Sequence, residues 1–562
     1  MSADSLTDAS TAHRWLRRPP RRTPTGWPRR PRRPVLTPAL RAVTWLGLAI
    51  PIVILLHPTM ATPFTSAGRT ALAGVVTHQM PVIGRTLGLA TAVGVVGTAV
   101  GAMMAAVHHS YWFAGRGALH GMTLAPVLLP PVTASTTLLQ IWGNNGVIAQ
   151  LTGESWLSVY GFTGLVLADT LAMMPLAYLA VLSGLRTLDE GLIDQARDLG
   201  LPTSKILHAI VLPHLWPQLA TVFLLLVANT AVDVANPLAL GGSYQVLATR
   251  LREAAIGEGD MVGAAATSAV MLAICILAWL AISAISSNSG SLTYQDSAIR
   301  TRRRRPATAW QRAMVAMSWV VAGVNALSLP VVMLGSVIDA TGGLSWTASS
   351  YRGLLTGLNG LALADSVIVA AGATTIALLA GCAIVATGGL HRGSSISAIL
   401  LASSAPALPL ALGALTIWQA PGVSGESTST ILVLVMTVQG LVLVPVVVAF
   451  LRARTDAMVL PVRQSAAGLG MAPRRMLRPL IIPQLRPALA AATALGFAMG
   501  MTSVPSVILL TGADTPFIAA QIVTEVEAGR LTEACTLSTV TAITVALVAA
   551  GIWLSIGGGR RA

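Results

Sequence analysis

Charge is the scarcest property of this chain. Only 10% of its 562 residues are Asp, Glu, Lys or Arg, against roughly 25% in a soluble globular protein. With so few charges, most of the surface cannot face water. That excludes a soluble enzyme, a disordered chain and a fibrous one. Aromatic residues are sparse at 5%, and the three cysteines are Cys275, Cys382 and Cys535. They lie scattered in or near apolar stretches, with no metal-ligand spacing and no even disulfide framework, and read as small buried hydrophobes. No Gly-x-x-x-x-Gly-Lys-Ser/Thr phosphate loop, His-Glu-x-x-His helix or Cys/His cluster occurs. The chain is therefore expected to bind no ATP, cofactor or catalytic metal of its own. What is abundant is apolar: 54% of residues are hydrophobic and the mean hydropathy is +0.72. The 52 Gly and 32 Pro also suit membrane helices, where both are commoner than in soluble ones.

A bilayer core about 30 Å thick needs roughly 20 apolar residues at a 1.5 Å rise. Twelve stretches qualify: 42–56, 81–107, 117–142, 160–183, 219–240, 261–285, 313–338, 361–387, 394–418, 430–451, 488–510 and 533–556. The net charge of +15 would suggest nucleic acid in a soluble chain, but here the basic residues lie mostly between apolar stretches. With the N-terminus inside, thirty of the 36 Lys and Arg fall on the cytoplasmic side. The other six are Arg69, Arg85, Arg250, Arg252, Arg352 and Arg530. This positive-inside bias predicts a multi-pass plasma-membrane protein with both termini cytoplasmic. Residues 1–41 are rich in Arg and Pro. They should be a disordered cytoplasmic tail, either in contact with anionic lipid or merely topogenic.

Two cytoplasmic loops, 184–218 and 452–487, match at a constant offset of 270. The first contains DQARDLGLPTSKILHAIVLPHLWPQLA (194–220) and the second QSAAGLGMAPRRMLRPLIIPQLRPALA (464–490). Ala196 pairs with Ala466, Leu199 with Leu469, Gly200 with Gly470 and Pro213 with Pro483. A weaker match joins APVLLPPVTASTTLLQIW to APALPLALGALTIW. The chain therefore divides into 42–285 and 313–556, joined by the basic linker 286–312 and ending in a cytoplasmic 557–562. Leu192, Ile193, Ala196 and Leu199 share one face of a short helix. Gly200 should end it in the left-handed conformation, and a second helix over 203–211 should stop before Pro213. Two such knobs on one side of a membrane suit docking into two grooves of a soluble partner.

At these residues the chain resembles the permeases of ATP-binding-cassette importers, whose coupling loop reads EAA, three residues, Gly, then a spacer and Leu-Pro. Here the copies read Asp194-Gln195-Ala196, Gly200, Leu212-Pro213 and Gln464-Ser465-Ala466, Gly470, Ile482-Pro483. Both lack the leading Glu. The stretch AVDVANPLALGGSYQVLATRLREAAIGEGDMVGAAA (231–266) resembles fused ferric-iron importer permeases, and also those for 2-aminoethylphosphonate, thiamine, sulfate and polyamines. The resemblance implies an all-α polytopic protein of two tandem six-helix type I permease domains. It implies two copies of a cytoplasmic ATP-binding subunit, which hold the ATP and Mg²⁺, and an extracytoplasmic solute-binding protein. Ferric iron is the first candidate solute.

Few ionisable groups fall inside the apolar stretches: Asp169, Asp233 and Asp365. Burying one costs about 2.5–3.5 kcal/mol on insertion scales, so each should face a cavity or a partner. Asn229, Asp233 and Asn236 are spaced to share one helix face beside Pro237. With Asp169 they form either a translocation path or a hydrogen-bond network between helices. The carboxylates are too sparse for a tight ferric site. His108 and His109 read as interfacial residues. The rival class is an ion-coupled secondary transporter, which would have no use for two matched knobs.

Overall fold

The computed structural model describes residues 36–557, apart from 145, 153–157, 189, 289–304, 340–344, 348, 356–357, 388–405, 422–427, 469–481 and 513–514. Most of the N-terminal tail and the linker, residues 394–405, Leu469, Gly470 and 558–562 lie outside the described residues. Among those described, nine helices are long and apolar enough to cross a membrane. They correspond to nine of the twelve expected spans.

The third, ninth and eleventh expected spans are not in that set. The third expected span, 117–142, is not one helix. It breaks into α4 (Arg116–Leu124), a 3-10 turn Ala125–Leu128 and α5 (Thr133–Trp142). Pro126, Pro130 and Pro131 lie in and around this break, and each lacks the N–H that a continuous helix needs. Of the ninth, only Ala407–Trp418, here α18, is described. The eleventh is α20, Ile482–Thr502, which starts earlier than 488 and stops before Ser503. The tenth continues beyond its apolar part as α19, Thr428–Gly468. The backbone at Ala466 is therefore helical.

The repeat shows in the helix boundaries. Helix α10 (Leu212–Val232) and α20 begin and end 270 residues apart, and α13 (Met261–Asn288) and α22 (Leu531–Gly557) begin 270 apart. The contacts repeat as well. Helices α3 (Met80–Ser110), α7 (Phe162–Arg186) and α10 pack on one another, and α10 packs on α13. In the second half α17 (Leu358–Thr387), α19, α20 and α22 pack in the same pattern. Small residues let these backbones approach closely. A Cβ at Gly101 would lie 2.6 Å from that of Ala177, and one at Gly381 would lie 2.7 Å from a Val447 methyl.

The halves are not separate packing units. Helix α1 (Leu36–Ala61) packs on α17 and α18 of the second half. In return, α14 (Ala309–Ala326) packs on α3 and α4, and α15 (Ser328–Gly335) on α5. Where α1 meets α18, a Cβ at Gly413 would fall 1.7 Å from the Leu55 carbonyl oxygen, so only glycine fits. Outward faces carry exposed Leu46, Val53, Leu277, Leu379, Val433 and Leu547, as lipid-facing helices require. Trp112, Trp310 and Trp553 are exposed at or beside helix ends, where an amphipathic indole suits the headgroup level.

Candidate translocation site and coupling loop

Helix α10 stops at Val232, and Asp233 is extended at φ −68°, ψ 132°. Pro237 explains the break, because in a continuous helix its ring would collide with the carbonyl of residue 233. The short helix α11 (Ala235–Leu240) then starts. The Asp233 carboxylate accepts from the backbone N–H groups of Ala235 and Asn236, both at 3.3 Å. It thus satisfies two donors that a helix start leaves unpaired. The expected common face of Asn229, Asp233 and Asn236 therefore does not exist, because the helix that would carry it is interrupted between them.

The break sends these side chains to two places. Asn236 is fully buried; its amide donates to Asp169 at 2.7 Å, and its oxygen accepts from Ser135 at 2.6 Å. One asparagine thus ties α5, α7 and α11 together. Asn229 and Asp233 instead line a cavity of about 490 Å³ between the halves. The Asn229 amide donates to Leu225 O of its own helix at 2.8 Å. Asp169 and Asn236 are not among the lining residues.

The cavity lining repeats at the sequence offset. Leu225 and Leu495, Asn229 and Met499, Val232 and Thr502, Asp233 and Ser503, and Ala172 and Val442 all line it. Matched positions of the two halves therefore contribute to the same void. Gln439 also lines it, is 3% exposed, and has no hydrogen-bond partner for its Oε1 among the described residues. It stands 270 residues after Asp169, and Ser503 stands 270 after Asp233. Applying the loop offset to the two acidic residues would have found both. Among the described residues that line it, Asp233 is the only charged one. Among the described residues no three His, Cys, Asp or Glu side chains group as metal ligands.

The first loop folds as helix α8 (Glu190–Asp198), a turn, and α9 (Thr203–Ile206). Gly200 takes φ +75°. Leu201 N donates to Ala196 O at 3.1 Å, and Gly200 N to Arg197 O at 2.8 Å, the paired bonds of a Schellman cap. The expected apolar face divides. Ala196 is buried, whereas Leu192 and Leu199 project outward, Leu199 being 81% exposed. Asp194 is exposed and paired with Arg197 at 2.8 Å. The second helix does not stop before Pro213. It passes through a π turn, Leu207–Val211, directly into α10. The π turn ends just where Pro213 withdraws an N–H, so the wider turn accommodates the proline. Pro483 sits in the first turn of α20 at the matching place.

His108 lies in the last turn of α3. It is buried, with its ring 5.0 Å from that of His120, and His120 Nδ1 lies 2.7 Å from the Tyr178 hydroxyl.

Residues 97–288 match the family described as the binding-protein-dependent transport system inner membrane component. The chain is 28% identical over 179 residues to a ferric transport system permease protein of Actinobacillus pleuropneumoniae, covering 30% of this chain and 26% of that protein. A second ferric relative, from Haemophilus influenzae, matches at 28% over 206 residues, 35% of this chain and 32% of its own length. The matched region thus spans about a third or less of the ferric relatives. A spermidine/putrescine transport system permease protein of Haemophilus influenzae is 26% identical over 182 residues, 32% of this chain and 66% of that protein.

Proposed function

Taking residues 97–288 as a transport-system inner-membrane component, we propose that the whole chain is the fused translocating subunit of an ATP-driven importer. The observation that carries this reading is the cavity lined by residue pairs from both repeats. A void lined by matched positions of both halves is where a solute can pass when the halves rock against each other. Two copies of a separate ATP-hydrolysing subunit would dock below. One would meet α8 and the outward Leu192 and Leu199, the other the matching loop around Ala466, Leu469, Gly470 and Pro483. A solute-binding protein would deliver from the opposite face. Both termini are then cytoplasmic, on the charge distribution alone. The chain itself performs no hydrolysis.

For the solute we propose ferric iron. Two relatives are named for ferric transport, and the one charged side chain among the described lining residues is a carboxylate, Asp233. With no multi-oxygen cage around it, the cavity would be a passage rather than a storage site. The polyamine relative makes spermidine the comparison that matters. Uptake of radiolabelled ferric iron, spermidine, thiamine and 2-aminoethylphosphonate is measured in a deletion strain, with and without the gene restored. Restored ferric uptake supports the proposal, and restoration of another solute alone overturns the iron assignment. Failure of any ATPase subunit to co-purify with the chain would favour an ion-coupled transporter instead.

A further inference from the structure

One ion pair joins the halves among the described residues. Arg252, the last residue of α12 (Leu247–Arg252), meets Glu527, the last residue of α21 (Ile518–Glu527), across 275 positions of sequence. Its two terminal nitrogens lie 3.2 and 3.3 Å from the two carboxylate oxygens, the forked geometry that fits guanidinium to carboxylate. Each side chain is about 30% exposed. The other charged groups around it are committed within their own halves: Arg250 to Glu253 and Glu258, and Arg530 to Glu525 and Glu533.

The position of this pair is informative. Helix α10 leads away from the α8 knob for 21 residues before the chain reaches α11 and α12, about 31 Å of rise. The pair therefore sits on the membrane side opposite the knob. The cavity lining reaches Asp233, Ala235, Val504 and Pro505, and includes nothing from 236–260 or 506–530. Between the cavity and the ion pair lie α11 and α21, packed on each other. Their Leu240, Ile518, Ala520 and Ile522 are fully buried, with Phe517 beside them. An apolar plug thus lies at this end, with Asn236 and Glu525 the buried polar side chains of the same two helices, and the forked pair spans the seam between the halves.

We infer that Arg252 and Glu527 latch the outer end of the passage and must part before solute enters. The inference rests on the cavity being the passage. The pair positions the halves and does not touch the solute. Buried apolar contacts hold the plug in either charge state, but they are not directional. The forked pair is what fixes one register across the seam.

The test is accessibility of the cavity from outside. Ala228→Cys places a thiol on the cavity wall in a full-length chain whose three native cysteines are replaced by serine. Right-side-out and inside-out vesicles are treated with a membrane-impermeant maleimide. The parent should label only in inside-out vesicles. Arg252→Glu and Glu527→Arg each set like charges against one another, and each should raise outer-side labelling about tenfold or more. The double swap should return it to near the parent rate, which a general unfolding effect would not do. Unchanged labelling in both single variants, or a double swap as leaky as the singles, overturns the latch while leaving the passage in place. Outer-side labelling of the parent itself would overturn both the seal and the proposed orientation.

Discussion

Gly200 offers a clean test because its conformation and its surroundings make opposite demands. It sits at φ +75°, where side chains other than glycine are strained, yet nothing lies within 4 Å of where a Cβ would be. Substitution therefore perturbs the backbone alone. The left-handed conformation costs roughly 1–2 kcal/mol for a non-glycine residue. If the cap must be intact for the ATPase subunit to dock, that cost appears in affinity as a weakening of about 5- to 30-fold. Asparagine tolerates the left-handed region better than other side chains, and β-branched valine tolerates it worst. The expected order of ATPase recovery is thus Gly, then Asn, then Ala, then Val. The assay is co-purification of the subunit with each variant from detergent, calibrated by titration. The melting temperature of the membrane core should stay constant, since the loop end is exposed. Recovery that follows side-chain volume rather than φ tolerance, with Asn worse than Ala, would refute the reasoning. So would full recovery with Val.

Four further outcomes follow from other parts of the molecule. Asn236→Leu removes both bonds of the buried tie and strands Asp169; a loss of about 2–5 kcal/mol is expected, read as a lower melting temperature in detergent. Gly413→Val forces a branched side chain onto the Leu55 carbonyl and should destabilise by about 1–3 kcal/mol, with Gly413→Ala milder; equal melting of all three would show that α1 does not depend on that approach. Asp233→Ala should lower uptake at equal membrane abundance. Asp233→Asn removes the charge but keeps one of the two acceptor oxygens that Ala235 N and Asn236 N use, so uptake near that of the parent would assign the residue to the helix break rather than to the charge. Cysteines at Ser204 and Ser345, both exposed, should label from the cytoplasmic and outer sides respectively, and the reverse result would invert the topology.

Nine of the apolar stretches and the internal repeat were legible because they depend on composition and spacing alone. So was the turn at Gly200, where the end of the helical pattern coincides with the one residue type that adopts positive φ freely. The offset of 270 carried further than the loops, for it also relates α10 to α20 and pairs the residues that line the cavity. The interruptions were harder. Three prolines across 126–131 divide a stretch whose hydropathy reads as continuous, and Pro213 is absorbed in a π turn rather than ending its helix.

Which way the polar side chains point was decided only by the tertiary structure. In a soluble helix the apolar stripe identifies the buried face. In a membrane helix every face is apolar, since lipid and neighbouring helices demand the same residues, so periodicity cannot distinguish inside from outside. Asn229 and Asn236 look alike on a helical wheel, yet the break at Asp233 turns one to the cavity and the other into the bundle. The exchange of α1 and α14 between halves is equally silent in sequence. It depends on close approaches such as that of Gly413 to Leu55, which join residues far apart in the chain. Composition and repetition determined the elements and their order, and contacts between distant residues determined the cavity and its lining.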